Sequence, residues 1–274
     1  MPGLRHCLKN GGAECKLGLK ISAGDNIMAN YKLTLNYDGS RYKGWQRLGS
    51  GENTLQAKLE NVLSRLFDTP VEVIGSGRTD AGVHALGQVA NFHVQTRLSA
   101  ADILTHLRTY LPEDVGVHSV EEVDARFHSR LNAVEKTYRY RIWNSREPCV
   151  FERKFVWNIP ERLDLSAMEE GALYLTGTHD FMAFCSNKHF KKSSVRTVHS
   201  INIQRAGPEI VIDVTGDGFL YNMVRIIAGT LIRVGRGYYE PERVKEILEA
   251  KERTEAGVTA PANGLVLVEI KYGE

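Results

Sequence analysis

Hydrophobic and polar residues alternate along the first patterned segment of the chain. The apolar positions are Tyr31, Leu33, Leu35 and Tyr37, and a polar residue follows each of them. A period of two places successive side chains on opposite faces of a strand. The segment therefore predicts a half-buried antiparallel strand.

A helical pattern comes next, after a loop that contains glycine. One face of the predicted helix carries Leu55, Leu59, Val62, Leu63 and Leu66. Asn53 and Gln56 have the three-residue spacing of a capping box, so we expect the helix to begin beside them.

Turn residues and changes of periodicity divide the rest of the chain into further strands and helices. Strands are expected near residues 71–76, 87–94, 115–123, 133–143, 197–205, 209–215 and 265–272. Helices are expected near residues 99–110, 165–175, 219–234 and 241–250. The predicted fold class is α+β, with two similar α+β domains whose mostly antiparallel sheets lie side by side and leave a cleft between them.

The charged connector at residues 124–132 is the expected domain boundary. It separates an N-terminal domain of residues 30–130 from a C-terminal domain of residues 131–274. Residues 1–29 hold glycine pairs and scattered lysines without periodicity, and we expect them to form a disordered extension. Met28 stands directly before the first patterned strand, so we expect the folded unit to begin there.

Composition restricts the function only weakly. The chain has 274 residues, of which 42% are hydrophobic and 25% charged, as in an ordinary soluble globular protein. Its net charge is +2, and residues 31–274 are formally neutral, so an argument for nucleic-acid binding has to rest on local clusters. The four cysteines include no C-x-x-C pair, which favours a cytoplasmic protein. The longest apolar run, near residues 226–232, is too short to span a membrane.

A glycine-rich loop, GRTDAGVHA at residues 77–85, is the strongest candidate for chemistry. Asp80 lies in it between Arg78 and His84, directly after a predicted strand, and such loops often carry catalytic groups. A nearby arginine favours the charged carboxylate, which can act as a nucleophile or general base. The alternative is an aspartate that caps backbone amides of the loop, with Arg78 as its ion-pair partner.

Asp80 and His84 also have the spacing of a D-x-x-x-H pair, which a metal site or an acid/base pair could use. The other histidines are scattered singly along the chain. Metal catalysis is therefore the weaker expectation, and we assign no metal ligand.

The predicted strand at residues 133–143 carries Tyr138 and Tyr140 on one face and Arg139 and Arg141 on the other. An aromatic ring at the edge of a cleft can stack on a nucleobase. Packing in the core explains the tyrosines equally well.

Arg225 is an unusual charge within an apolar helical segment. A largely buried arginine needs an anionic partner, and Asp80 is the candidate. On a helical projection Gly229, Arg233 and Arg236 fall near Arg225, so we expect the arginines to gather beside a gap that admits another backbone. A solvated basic face is the alternative.

The segment NKHFKKSSVR at residues 187–196 contains Lys188, Lys191 and Lys192 and no acidic residue. Basic residues interleaved with an aromatic are typical of nucleic-acid contacts. A solvated loop is the alternative.

Six motifs, in order, resemble those of the tRNA pseudouridine synthase A family. They are YDGSRYKGWQ (37–46), GRTDAGVHALGQVANF (77–92), KTYRYRI (136–142), HDFMAF (179–184), GFLYNMVRIIAGTL (218–231) and TAPANGLVL (259–267). The resemblance covers nearly everything after residue 29. It implies an isomerase that converts uridine to pseudouridine in the anticodon stem-loop of tRNA, at tRNA positions 38–40, without metal or organic cofactor. It also implies a pseudouridine synthase fold of two domains about a central basic cleft, usually paired as a homodimer.

The resemblance further implies a role for each matching residue. Asp80 would be the catalytic aspartate, attacking the uracil ring or the ribose C1′. Arg78 would help to extrude the target nucleotide. Tyr138 would stack on the flipped uracil and assist proton removal, while Arg225 would keep Asp80 ionised and aimed. Leu265 would help to form the pocket.

The chain departs from the family pattern after GWQ, where the family often has a second glutamine and this chain has Arg47 and Leu48. A related enzyme that modifies another RNA is therefore an alternative, since recognition surfaces diverge separately from catalytic residues. A non-catalytic RNA-binding module would explain the basic segment and the aromatic strand without using Asp80. A metal phosphohydrolase is the third alternative.

Overall fold

The computed structural model describes residues 27–49, 51, 53–187 and 193–273, and within them ten strands form one sheet. The strands are β1 (Ile27–Tyr37), β2 (Val73–Gly75), β3 (His84–Thr96), β4 (Val115–Val123), β5 (Ala133–Trp143), β6 (Trp157–Asn158), β7 (Gly177–Asp180), β8 (Val195–Ala206), β9 (Glu209–Gly216) and β10 (Leu265–Tyr272). The helices are α1 (Leu55–Phe67), α2 (Ala100–Tyr110), α3 (Leu165–Leu173), α4 (Met223–Gly235) and α5 (Arg243–Ala250). The predicted α+β class is confirmed.

Strand order joins the two predicted units. The strands follow the order β4-β1-β3-β10-β5-β9-β8-β7, with β2 beside β3 and β6 beside β5. Neighbours are antiparallel except for β3 with β10 and β5 with β6. The last strand of the chain, β10, therefore lies between β3 of the N-terminal half and β5 of the C-terminal half. The two units share one sheet, and their division into domains at residues 124–132 stays a prediction.

In the C-terminal half, α3 and α4 cover the sheet beside β8 and β5. Three successive pairs of β5 and β9 are buried there, namely Tyr138–Val214, Tyr140–Ile212 and Ile142–Ile210. Burying an aliphatic side chain of this size stabilises the fold by about 1.5–3 kcal/mol. The tyrosine face of β5 is thus the face on which α4 packs.

Helix α1 begins beside Asn53 and Gln56 as predicted and its apolar face is buried as expected, but its cap differs from the prediction. Thr54 is the N-cap residue and makes no side-chain cap. The Asn53 side chain donates to the Arg41 carbonyl, and the Gln56 side-chain oxygen accepts from the Arg47 amide. The capping-box prediction is wrong because the preceding loop uses both side chains for its own hydrogen bonds.

Close backbone contact decides the position of α4. Asn222, just before the helix, has a φ of 64°, a left-handed conformation that separates α4 from the residues ahead of it. A Cβ atom on Gly229 would lie 1.9 Å from the Val258 carbonyl oxygen, so the predicted gap beside Gly229 is confirmed. Neither α4 nor any other helix in the described ranges is long and apolar enough to cross a membrane.

The first strand begins slightly earlier than expected. Ile27, Met28 and Ala29 pair with residues of β3, because β3 extends far enough to offer them backbone partners. The remainder of the predicted disordered extension, residues 1–26, lies outside the described residues.

Candidate active site

The loop that carries Asp80 leaves the sheet at the junction of the two halves. β10 pairs with β3 at His84 and Ala85, whereas β2 pairs with β3 further along, at Ala90 and Phe92. Both strands lie on the same side of β3, so the loop between β2 and β3 emerges in the space between them. The Asp80 side chain is 27% exposed there.

Buried polar groups fix the backbone of this loop. The Gln88 side chain, which is fully buried, accepts from the Ser76 hydroxyl at 2.7 Å and donates to the Gly77 carbonyl at 3.1 Å. The Tyr37 hydroxyl lies 2.8 Å from the Thr79 hydroxyl. The sequence prediction missed Gln88, although a glutamine at a buried strand position was a usable signal, since a buried amide needs partners.

Lys136 is a second group at this loop that the sequence prediction missed. Its amine donates to the Ser76 carbonyl at 2.7 Å, and burial lowers the pKa of Lys136 to about 8. Its position in KTYRYRI, two residues before Tyr138, was the available signal, because residues two apart on a strand share a face.

The GWQ motif packs directly against the loop. Gly44 has a φ of 97°, and a Cβ atom on it would lie 2.7 Å from the Thr79 carbonyl oxygen, so only glycine fits. The Trp45 amide donates to the same carbonyl at 3.0 Å. Beyond the motif, Arg47 forms an ion pair with the buried Glu60 at 2.8 Å. The departure from the family pattern therefore begins two residues after Trp45, which contacts the loop.

Arg225 of α4 faces Asp80. Its Nη1 lies 3.3 Å from Asp80 Oδ2, so the ion pair expected from the sequence is present. Nη1 also donates to Asn222 Oδ1 at 2.8 Å, and Nε donates to the Ala260 carbonyl at 2.7 Å. Acceptors from three separate segments thus orient one guanidinium.

Burial raises the pKa of the Asp80 carboxyl above the usual aspartate value, while the charge and hydrogen bond of Arg225 lower it. Arg225 by itself would lower the pKa of Asp80, but desolvation of the carboxylate outweighs the ion pair. Asp80 therefore loses its proton at a higher pH than an exposed aspartate does.

Tyr138 lies on β5 beside this ion pair and is 8% exposed. Its ring meets Phe219 edge-on, with the ring centroids 5.3 Å apart. A Cβ atom on Gly77 would be 3.9 Å from its hydroxyl. Burial, reinforced by Tyr37 and Asp80, raises the pKa of Tyr138, so the phenol is neutral at ordinary pH. The Tyr138 side chain thus packs against Phe219 and also lies close to the loop that carries Asp80.

Leu265 begins β10 and is buried opposite Tyr140. The segment before it lies against both β5 and the loop. The Tyr140 hydroxyl donates to the Pro261 carbonyl, and a Cβ atom on Gly82 of the loop would lie 3.4 Å from the Ala262 Cβ. This arrangement brings the TAPANGLVL motif to the same junction as Asp80.

Most of the chain matches a known protein family. The tRNA pseudouridine synthase family model matches residues 34–132 and 172–273. The chain belongs to the tRNA pseudouridine synthase family. Asp80 and Arg225 lie within the ranges matched to this pseudouridine synthase model, and Tyr138 lies between those ranges.

Curated relatives carry the same family name. A tRNA pseudouridine synthase A from Bacillus sp. (strain KSM-64) is 52% identical over 245 residues, covering 89% of this chain and 100% of the relative. Proteins named tRNA pseudouridine synthase A 2 from Bacillus cereus and Clostridium perfringens are 46% and 43% identical over the same shares of each chain. The resemblance that the six motifs carry is confirmed.

Arg78, Arg233 and Arg236 take no part in the ion pair of Asp80 with Arg225. Arg78 is exposed, and Asp80 pairs with Arg225 instead of with it. Arg236 pairs with Glu161 at 2.8 Å, and the Arg233 guanidinium lies over the Tyr239 ring at 5.4 Å. Arg225, Arg233 and Arg236 thus have different partners, and the expectation that they gather is wrong.

His84 turns away from Asp80. Its Nδ1 accepts from the Gly39 amide at 3.0 Å and lies 3.2 Å from Asp38 Oδ1, and burial lowers the pKa of His84. It lines a cavity of about 710 Å³ that includes Arg139 but neither Asp80 nor Arg225. In this pseudouridine synthase His84, the first residue of β3, therefore contacts the turn after β1 and not Asp80.

Two further sequence predictions concern ligands. Lys188, Lys191 and Lys192 lie outside the described residues. Across residues 27–49, 51, 53–187 and 193–273, no group of three or more His, Cys, Asp or Glu side chains is placed to hold a metal ion.

Proposed function

We propose that this protein isomerises uridine to pseudouridine in tRNA with Asp80 as the catalytic carboxylate. The observation that carries the proposal is the ion pair of Asp80 with Arg225, on a partly exposed loop at the junction of the two halves. Both residues fall within the family match, and the relatives are named tRNA pseudouridine synthases.

The reaction needs no second substrate, because uridine and pseudouridine contain the same atoms. The Asp80 carboxylate attacks the uracil ring or the ribose C1′ as a nucleophile. The bond between the base nitrogen and C1′ breaks, the base rotates, and a ring carbon bonds to C1′. The temporary bond from the Asp80 oxygen to C1′ or to the ring also breaks, which returns the carboxylate. The newly bonded ring carbon then loses its proton, and the freed ring nitrogen gains one.

Tyr138 supplies a surface for the flipped uracil. Because burial raises the pKa of its phenol, the neutral hydroxyl is a hydrogen-bond donor and a poor resting base. We therefore assign Tyr138 to stacking and hydrogen bonding, with Leu265 closing the pocket nearby. Arg78, exposed two residues before Asp80, would occupy the space that the extruded nucleotide leaves, offsetting an unstacking cost of a few kcal/mol.

Asp80→Asn tests the catalytic assignment. The neutral amide cannot attack, so pseudouridine formation in a tRNA transcript should fall by roughly 10³-fold or more. Single-turnover assays with mass-spectrometric detection of pseudouridine measure this rate. Asp68→Asn is the matched control, since Asp68 is an exposed aspartate after α1, and it should leave the rate unchanged. Wild-type turnover by Asp80→Asn would refute the assignment and favour an RNA-binding module.

Lys188, Lys191 and Lys192 are proposed contacts to tRNA phosphates, because their segment of the sequence holds no acidic residue. Alanine at Lys191 and Lys192 should weaken tRNA binding and reduce the salt slope by about one per lost contact. Titrations at several salt concentrations measure both quantities, with Lys245→Ala on α5 as the control. An unchanged slope would remove these lysines from the interface.

The anticodon arm is the proposed target, and a cytoplasmic homodimer is the proposed state. The order of the six motifs supports the anticodon arm and the homodimer, which the resemblance implies, and the cysteine pattern supports the cytoplasm. Pseudouridine mapping in cellular RNA with and without the protein tests the target. Sedimentation equilibrium tests the dimer, and a monomer at micromolar concentration would contradict it.

A further inference from the structure

Asn222 bridges the catalytic ion pair and a neighbouring segment. Its Oδ1 accepts from Arg225 Nη1 at 2.8 Å, and its Nδ2 donates to the Ser186 hydroxyl at 3.1 Å. The Ser186 amide donates to the Tyr221 carbonyl at 3.2 Å. Ser186 and Asn222 are therefore joined by their side chains and through an adjacent backbone bond.

Hydrogen-bonding chemistry permits one orientation of the Asn222 amide. A guanidinium has donors only, so the amide oxygen must face Arg225. The amide nitrogen then faces Ser186, whose hydroxyl oxygen accepts from it. The contact with Ser186 thus holds the oxygen toward the arginine.

Distances rank the partners of Arg225. Nη1 lies 2.8 Å from Asn222 Oδ1 but 3.3 Å from Asp80 Oδ2. Nε is held separately by the Ala260 carbonyl at 2.7 Å. Two short bonds at different nitrogens determine where the planar guanidinium lies, and its longer contact with Asp80 follows from that placement.

The backbone of Asn222 makes this contact possible. Its φ of 64° is left-handed, a conformation that asparagine tolerates better than most residues other than glycine. Glycine would accept the same backbone without strain but has no amide side chain. Substitution of Asn222 by glycine therefore removes the side-chain contact with Arg225 while keeping the left-handed backbone.

We infer that Asn222 is a positioning residue that holds the Arg225 guanidinium against Asp80. The inference rests on the proposed function, because it gives Asn222 a role in turnover only if Asp80 is catalytic. Asn222 itself acts through Arg225. Since Ser186 directly precedes residues 187–196, the same amide also ties the ion pair to the start of the basic segment.

Asn222→Gly is the decisive variant. Loss of the amide frees Nη1, so kcat should fall by about 10- to 100-fold, while tRNA affinity stays within about twofold. The acid limb of the kcat profile should move to higher pH, because Arg225 then lowers the pKa of Asp80 less. Ser186→Ala, which removes only the bond that orients the amide, should cause a smaller loss.

Asp68→Gly is the matched control, because Asp68 also has a positive φ, of 51°, and lies after α1. It should leave kcat and the pH profile unchanged. In an Arg225→Ala background, Asn222→Gly should have no further effect on kcat, since the residue it positions is gone. Thermal unfolding checks that each variant is folded.

A kcat for Asn222→Gly within twofold of wild type overturns the inference. So does an equal loss of kcat in the Arg225→Ala background, which would make the effect independent of Arg225. Asp80→Asn, assayed in parallel, distinguishes failure of the proposed function from failure of the positioning role. If Asp80→Asn keeps wild-type turnover, the proposed function fails. If Asp80→Asn is inactive while Asn222→Gly has normal turnover, only the positioning role of Asn222 is refuted.

Discussion

Asp80 is subject to two opposing influences, and their balance sets when it can act. Burial raises the pKa of its carboxyl, and Arg225 lowers it. Removing the arginine therefore leaves desolvation unopposed. Under the proposed mechanism the Asp80 carboxylate attacks only above its own pKa, so the two side chains together would set the acid limb of activity.

Arg225→Ala should lower kcat at neutral pH by about 10²-fold or more, as expected when an oriented charge is lost from an active site. The pKa of Asp80 should rise further, so the acid limb of kcat should move to higher pH than in the wild type. Binding of tRNA should weaken much less than turnover. Kinetics from acid to neutral pH and equilibrium titration measure these effects. A parallel loss of affinity with an unmoved acid limb would identify Arg225 as an RNA contact.

Among the elements, α4 is the one whose placement the site depends on most. It presents Arg225 near its start, and the segment after Val258 crosses it at Gly229. Ala260 in that segment accepts from Nε of Arg225 and donates its amide to the Arg225 carbonyl. The absence of a side chain at Gly229 therefore helps to hold the arginine in place.

Gly229→Ala should destabilise the protein by about 1–3 kcal/mol, because the new Cβ atom collides with the Val258 carbonyl. Alanine is the better helix former by about 1 kcal/mol, so a net loss can come only from this contact. Urea denaturation measures the change. Gly49→Ala is the control, since Gly49 is exposed and a Cβ on it would meet nothing within 4 Å. Equal stability of the two variants would contradict the close approach.

The whole molecule is organised by β10, which pairs with β3 on one side and β5 on the other. The two halves consequently share backbone hydrogen bonds in addition to side-chain contacts. Separation of the halves would expose one edge of β10 and the edge of the strand that it leaves. We expect this shared sheet to couple their unfolding.

A variant with Trp143→Phe and Trp157→Phe retains Trp45 as its only tryptophan, buried in the N-terminal half. In this variant, tryptophan fluorescence and far-UV circular dichroism should report the same urea midpoint, as in a two-state transition. The fluorescence follows one half and the dichroism follows all elements. Midpoints that differ would show that the two predicted domains unfold independently.

The local pattern of the sequence predicted the five helices and every strand of the described residues except the short β6 and β7. The alternation along β1 and the apolar face of α1 involve residues only a few positions apart, so both can be predicted from the sequence without the tertiary structure. The ordered motifs determined the family. The capping-box prediction was wrong because the side chains of Asn53 and Gln56 form hydrogen bonds with the preceding loop, whose conformation the local sequence pattern does not predict.

Only the tertiary structure decided what surrounds Asp80. The sequence suggested Arg225 as its partner, but residues 145 positions apart meet only because β10 joins the two halves. The support from Lys136 and the bridge through Asn222 come from groups far from Asp80 in the chain. The raised pKa of Asp80 and the bonds from the nearby Gln88 depend on burial, which the local sequence does not show. Periodicity involves residues close together in the sequence, so the sequence alone determined most of the strands and helices. Burial and hydrogen bonding depend on how the whole chain folds, so only the tertiary structure determined the environment of Asp80.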